Sequence, residues 1–201
     1  VPTGYDARGD PVSTAADDRA AAFLQGVTWL RVALVPVVMA LVLAGPHARY
    51  AFVVGAILFG LAAVTDFVDG FLARRWAQTS AFGTFLDTTA DKLLVSGALL
   101  ALVAVDRASP WIALVIVGRE LAILGLKGAA AAGGDVVGPS VWGKAKANVQ
   151  FLAIVLAIVR YPHRVGPLFV DEYVMLVAAA ITIASAVEYL VRLRASLTVE
   201  R

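Results

Sequence analysis

The chain has no cysteine, only two histidines and two methionines, and charged residues make up 16% of its 201 positions. The lack of cysteine excludes a disulfide scaffold, a thiol nucleophile and a thiolate metal site. The charged fraction is well under the ~25% usual in a soluble domain. A formal net charge of +2 is too small to point to a nucleic acid partner. What is present in excess is apolar. Hydrophobic residues reach 60%, against about 45–50% in soluble proteins, and mean hydropathy is +0.82. This balance is that of a membrane protein, with the lipid bilayer as its first partner. At roughly 20 residues per crossing, the length limits the number of spans to about seven or eight.

The first 22 residues are polar and carry Asp6, Asp10, Asp17 and Asp18 against Arg8 and Arg19. They lack the basic start, apolar stretch and cleavage site of a secretory signal. Ala15–Gln25 reads as a short surface helix leading into the membrane. Six apolar segments follow, approximately Val27–Ala44, Tyr50–Phe71, Phe82–Val105, Pro110–Ala131, Val141–Val159 and Tyr173–Val191. The intervening stretches hold breaks such as Gly45-Pro46, Gly133–Pro139 and Tyr161–Pro167, where Gly and Pro punctuate helices. The expected organisation is all-α: a polar segment over 1–25, a six-helix membrane domain over 26–194 and a tail over 195–201. Six crossings place both termini on one side. That side collects Arg8, Arg19, Arg74, Arg75, Lys127, Lys144, Lys146, Arg192, Arg194 and Arg201, against Arg49, Arg107, Arg160 and Arg164 opposite. The excess of basic residues makes the first side cytoplasmic, in a multi-pass protein of the cytoplasmic membrane.

Eight charges fall within or at the ends of these segments: Arg31, Asp66, Asp69, Asp87, Asp91, Lys92, Arg119 and Glu120. Each costs about 2.5–3.5 kcal/mol at the centre of a spanning helix, so together they imply a polar cavity, mutual pairing or bound ions. Lysine and arginine at helix ends can snorkel to the interface, but aspartates are too short. Asp66 and Asp69 are three apart and Asp87 and Asp91 four apart, so each pair shares one face of its helix. The chain turns back between the pairs, at Arg74–Ala81, which predicts antiparallel neighbouring helices and four converging carboxylates. Such a cluster needs neutralisation. Oxygen ligands without His or Cys favour Mg²⁺, Mn²⁺ or Ca²⁺, and two divalent ions balance four aspartates.

The string Asp66-Phe-Val-Asp69-Gly70-Phe-Leu-Ala73-Arg74, eight residues, Gly83, three residues, Asp87, three residues, Asp91 resembles the signature of the CDP-alcohol phosphotransferases at all eight of its positions. Members of that family move a phosphatidyl or similar group from a CDP-linked donor to an alcohol and release CMP. The resemblance implies two Mg²⁺ ions per site, with Mn²⁺ an alternative. Asp66, Asp69 and Asp87 would hold one ion, and Asp66, Asp87 and Asp91 the other. It makes Asp91 also the catalytic base toward the attacking hydroxyl. It places Gly70, Ala73, Arg74 and Gly83 around the CDP group, with Ser80 a further contact, and it implies a homodimer. Thr28 and Arg31 match a family pattern at the start of the first spanning helix, where Gln25 stands in place of the frequent Asn. Thr28 is thereby a further CDP-binding candidate.

Three shorter segments narrow the acceptor. Asp91-Lys92-Leu93, Gly118-Arg119-Glu120-Leu121 and Trp142-Gly143-Lys144-Ala145-Lys146 look like the phosphatidylglycerophosphate synthase branch, which implies CDP-diacylglycerol as donor and glycerol 3-phosphate as acceptor. A phosphorylated acceptor calls for cations, which Arg119, Lys144 and Lys146 could provide. Inositol phosphate synthases and cardiolipin synthases of the same family remain alternatives. A cation transporter is a rival from outside the family, since intramembrane acids also mark ion paths. The acids gather at one end of two helices, however, and form no path across.

Overall fold

A computed structural model describes residues 15–76, 81–132 and 141–199. Among these residues the chain forms six helices: α1 (Ala15–Ala44), α2 (Ala51–Trp76), α3 (Ala81–Ala104), α4 (Pro110–Ala132), α5 (Val141–Val159) and α6 (Val170–Val199). Each apolar segment expected from the sequence falls on one of them, with only Tyr50 and Val105 lying one residue outside α2 and α3. The helix anticipated over Ala15–Gln25 belongs to α1, which continues to Ala44 without a break at Gly26. The last helix is longer than the apolar pattern indicated, and it runs past the boundary expected at residue 194. It starts at Val170 because Asp171 and Glu172 occupy its first turn, where carboxylates suit the exposed amides and the positive end of the helix dipole.

The stretch before α6 adds a small departure from an all-α fold. Strands β1 (Arg164–Val165) and β2 (Leu168–Phe169) pair antiparallel, with Val165 opposite Leu168. Gly166 has φ +68° and Pro167 follows it. A glycine with positive φ at the first central position suits a two-residue hairpin loop.

The helices alternate in direction around a core that includes Val38 and Val42 of α1, Phe59 of α2, Leu94, Leu99 and Leu102 of α3, Ile116 of α4, and Ile154 and Ile158 of α5. Alanines 98, 101, 153, 157 and 178 are buried among them, and such small residues let helix backbones approach. A close approach of two helices rests on Gly97. A Cβ there would come within 2.8 Å of Val35 Cγ1 and 3.0 Å of Met39 Sδ, so α3 presses against α1 at that point. Among the described residues α1 packs extensively on both α2 and α3, whereas α2 and α3 touch each other little. Sequential order alone suggested a direct α2–α3 pair. The polar and small residues that link α3 to α1 make α1 the common neighbour instead.

At one end of the bundle, charged residues tie the loops together. Asp106 and Arg160 have positive φ, 55° and 39°, and end α3 and α5 in the left-handed conformation common after helices. Arg160 donates from Nε and Nη2 to Asp171 Oδ2 at 3.1 and 3.0 Å, from Nη1 to the carbonyl of Asp106 at 3.3 Å and from Nη2 to that of Arg107 at 3.1 Å. Arg107 bonds the carbonyls of Ala157 and Ile158 and lies 3.4 Å over the ring of Phe52. This end therefore holds the α1–α2, α3–α4 and α5–α6 connections, and the chemistry-bearing residues lie toward the other.

The outer faces are apolar. Leu30, Ile57, Leu100, Leu114, Leu152 and Ile183, one from each helix, are all more than half exposed. Exposed apolar surface spread over every helix is unlike a soluble monomer. Among the described residues, Gln25–Ala44 and Val170–Arg192 are long and apolar enough to cross a membrane.

Candidate active site

The antiparallel arrangement brings the N-terminal parts of α1, α3 and α5 to the same end as the C-terminal parts of α2, α4 and α6. From α1, Arg31 is 2% exposed and donates from Nη1 to Asp87 Oδ1 of α3 at 2.8 Å. Thr28, one turn earlier on α1, approaches the same oxygen at 3.5 Å. The i, i+3 spacing of Thr28 and Arg31 puts both on the face of α1 that meets α3. A guanidinium so deeply buried is tolerable only beside an anion, and Asp87 supplies one.

Asp91 lies one turn along α3, as its spacing requires. Its Oδ2 accepts from Lys92 Nζ at 2.8 Å, while its Oδ1 is buried with no hydrogen-bond partner among the described residues. Leaving a carboxylate oxygen bare is costly, and a cation is the natural partner for it. The oxygen-only chemistry of Asp87 and Asp91, with that bare atom, fits a hard divalent ion such as Mg²⁺.

Beside this pair stands a second charged cluster. Glu120 of α4 is 3% exposed and is reached by cations from three helices. Lys92 of α3 pairs with it at 3.1 Å, its neighbour Arg119 at 3.4 Å, and Lys146 of α5 through a close ion pair. Lys92 thus touches both Asp91 and Glu120 and joins the two clusters. Arg119 also donates from Nη2 to Ser185 Oγ of α6 at 2.8 Å. Next to them Gln150 of α5 donates to Thr182 Oγ1 of α6 at 2.7 Å, and Thr182 in turn donates to the carbonyl of Ala178 at 2.6 Å. The network thus links α3, α4, α5 and α6, with Arg119 Nε and Asp91 Oδ1 its buried atoms without a partner among the described residues.

Of the residues singled out in the sequence, the structure brings Thr28, Asp87 and Asp91 together on the α1–α3 contact, and Arg119 and Lys146 together on Glu120. Asp66, Asp69, Gly70, Ala73 and Arg74 fall in the last three turns of α2, Gly83 in the first turn of α3 and Lys144 in the first turn of α5. Their side chains lie outside the described residues, as does Ser80 altogether. The α2 helix starts with Phe52 under Arg107 and passes Phe59 beside Phe151 of α5, with ring centroids 5.7 Å apart. Its C-terminal turns are thus directed toward the end that holds Asp87.

Three residues of this site had no role in the sequence reading. Lys92 and Glu120 were visible as charges in apolar segments, but only the packing shows that they bridge Asp91 to Arg119 and Lys146. Ser185 gives no signal in the sequence, because a serine in an apolar helix is ordinary.

The chain is similar to several known phosphatidyltransferases. The CDP-diacylglycerol–glycerol-3-phosphate 3-phosphatidyltransferase of Bacillus subtilis (strain 168) is 37% identical over 174 residues, which cover 81% of this chain and 90% of the relative. The protein of the same name from Yersinia pestis (strain Pestoides F) is 42% identical over 173 residues, covering 81% and 91%. That from Pseudomonas fluorescens is 34% identical over 173 residues, covering 82% and 86%. Residues 25–184 match the family described as CDP-alcohol phosphatidyltransferase, a span that holds α2 to α5 entire, most of α1 and half of α6. The chain belongs to the CDP-alcohol phosphatidyltransferase family.

Proposed function

We propose that this chain transfers the phosphatidyl group of CDP-diacylglycerol to glycerol 3-phosphate, giving phosphatidylglycerophosphate and CMP. The observation that carries this reading is the cation cluster of Lys92, Arg119 and Lys146 beside Asp91. A base and a phosphate-binding group must lie side by side if one small molecule is to present a hydroxyl to the first and a phosphate to the second.

Asp66, Asp69, Asp87 and Asp91 would hold two Mg²⁺ ions. When bound, these supply charge screening for the pyrophosphate and stabilisation of the leaving oxygen. The chain's own groups do the rest. Asp91 accepts the proton of the acceptor hydroxyl. The hydroxyl oxygen then bonds to the phosphorus that bears diacylglycerol, and the bond from that phosphorus to CMP breaks. Arg119, Lys144 and Lys146 hold the acceptor phosphate, for which charge-assisted bonds are the strong kind. Thr28, Gly70, Ala73, Arg74, Ser80 and Gly83 line the CDP group. Arg31, 2.8 Å from Asp87, holds that carboxylate across the α1–α3 contact.

The apolar outer faces support a six-span protein whose donor keeps its acyl chains in the bilayer. The excess of basic residues at the site end supports placing that end and both termini in the cytoplasm, within a domain over 26–194. The family resemblance supports a homodimer.

The test is CMP release by the purified protein in lipid nanodiscs, with CDP-diacylglycerol, Mg²⁺ and a panel of glycerol 3-phosphate, inositol phosphate and phosphatidylglycerol. Release with glycerol 3-phosphate alone is the expected result. Release with only one of the others moves the chain to another acceptor, and no release with any of them rejects the enzyme reading.

A further inference from the structure

The three cations of the site are not free to move independently. Lys92 from α3, Arg119 from α4 and Lys146 from α5 all pair with the one carboxylate of Glu120, which is 3% exposed. Arg119 is held a second time, from α6, by Ser185 Oγ at 2.8 Å. Ser185 is itself 2% exposed, and its hydroxyl donates to the carbonyl of Thr182 at 3.3 Å. It stands one residue past the stretch 25–184 that matches the family. Three positive charges against the two carboxylates of Glu120 and Asp91 leave one. A phosphomonoester at neutral pH carries about −1.5 to −2, so the net positive cluster has the sign that attracts it.

We propose that Ser185 and Glu120 are positioning residues of the acceptor-phosphate subsite. Ser185 fixes the Arg119 guanidinium and Glu120 gathers Lys146 and Lys92, so the cations are set for a phosphomonoester before it arrives. The inference rests on the reading of glycerol 3-phosphate as acceptor. Long cationic side chains lose rotamer freedom when they are ordered, and ordering them in the folded protein removes that penalty from the binding step. Without Glu120, three like charges in a buried site repel one another and spread toward solvent, away from a common point. Neither residue need touch the reacting atoms.

The test uses the full chain in nanodiscs, with CMP release measured while glycerol 3-phosphate and CDP-diacylglycerol are titrated separately. Ser185→Ala removes one hydrogen bond to a charged group without changing volume much. It should raise the KM for glycerol 3-phosphate about threefold to tenfold, leaving kcat and the KM for CDP-diacylglycerol close to those of the unmodified protein. Glu120→Gln should raise the same KM further. Thermal melting of both variants is followed alongside. An unchanged KM for glycerol 3-phosphate in folded Ser185→Ala and Glu120→Gln overturns the inference. So does a fall in kcat that tracks lost thermal stability with both KM values held, because that is a packing effect. If the unmodified chain releases CMP with another alcohol and none with glycerol 3-phosphate, the reading of function fails first and this inference with it. The unmodified control thus separates the two failures.

Discussion

Asp171→Ala should destabilise the bundle strongly while sparing its chemistry. Asp171 is 2% exposed and its partner Arg160 is 15% exposed, so solvent does little to screen the pair. One carboxylate oxygen accepts two bonds from the guanidinium, at 3.1 and 3.0 Å. Removing one partner of a buried pair costs about 3–5 kcal/mol, because the other charge is left uncompensated. Arg160 would retain Glu172 at 3.4 Å and the carbonyls of Asp106 and Arg107, which puts the loss at the lower limit, about 3 kcal/mol. For a chain of this size each kcal/mol moves the midpoint by about 2–4 °C, so Tm should fall by about 6–12 °C. The assay is thermal unfolding in detergent, paired with CMP release well below the midpoint. The site lies at the opposite end of the helices, so kcat and both KM values of the folded variant should match those of the unmodified protein. A drop in Tm of only a degree or two would falsify the role given to this pair. Lost turnover in a fully folded variant would refute the separation of the two ends.

Other outcomes are open to the same assays. Asp91→Asn should abolish CMP release while CDP-diacylglycerol still binds in a calorimetric titration; retained turnover rejects Asp91 as the base. Asp87→Asn should raise the Mg²⁺ concentration needed for half-maximal activity, and an unchanged Mg²⁺ dependence would remove Asp87 from the metal ligands. Lys146→Ala loses a charge-assisted contact worth about 1.5–3 kcal/mol, so the KM for glycerol 3-phosphate should rise roughly tenfold to a hundredfold. Gly97→Val forces side-chain atoms into Val35 and Met39, an overpacking that costs about 1–3 kcal/mol. It should appear as a lowered Tm, and a Tm equal to that of the unmodified protein would show that α1 can move away from α3.

The pairs Asp66/Asp69 and Asp87/Asp91 could be read as functional because helical spacing alone fixes which residues share a face, and because an aspartate in an apolar segment has no inexpensive structural use. The helices were legible for the same kind of reason: apolar runs bounded by Gly and Pro leave few other conformations. Where the reading stopped, the cause was long-range packing. Nothing local distinguishes Ser185 from a solvent-facing serine, and nothing in the order of helices says that α1 will lie against both α2 and α3. The hairpin at Arg164–Phe169 escaped notice because two-residue strands carry no periodicity.

By itself, then, the sequence determined the six helical segments, the composition suited to a bilayer, and the family signature with its carboxylates. These depend on local chemistry, namely the period of the helix and the penalty for burying charge. Only the tertiary structure decided which charges become partners. It set Arg31 on Asp87, made Lys92 the link between Asp91 and Glu120, and drew Arg119, Lys146 and Ser185 from three helices to one point. Those choices depend on how helices far apart in the chain are rotated against one another, and close packing of side chains fixes that rotation.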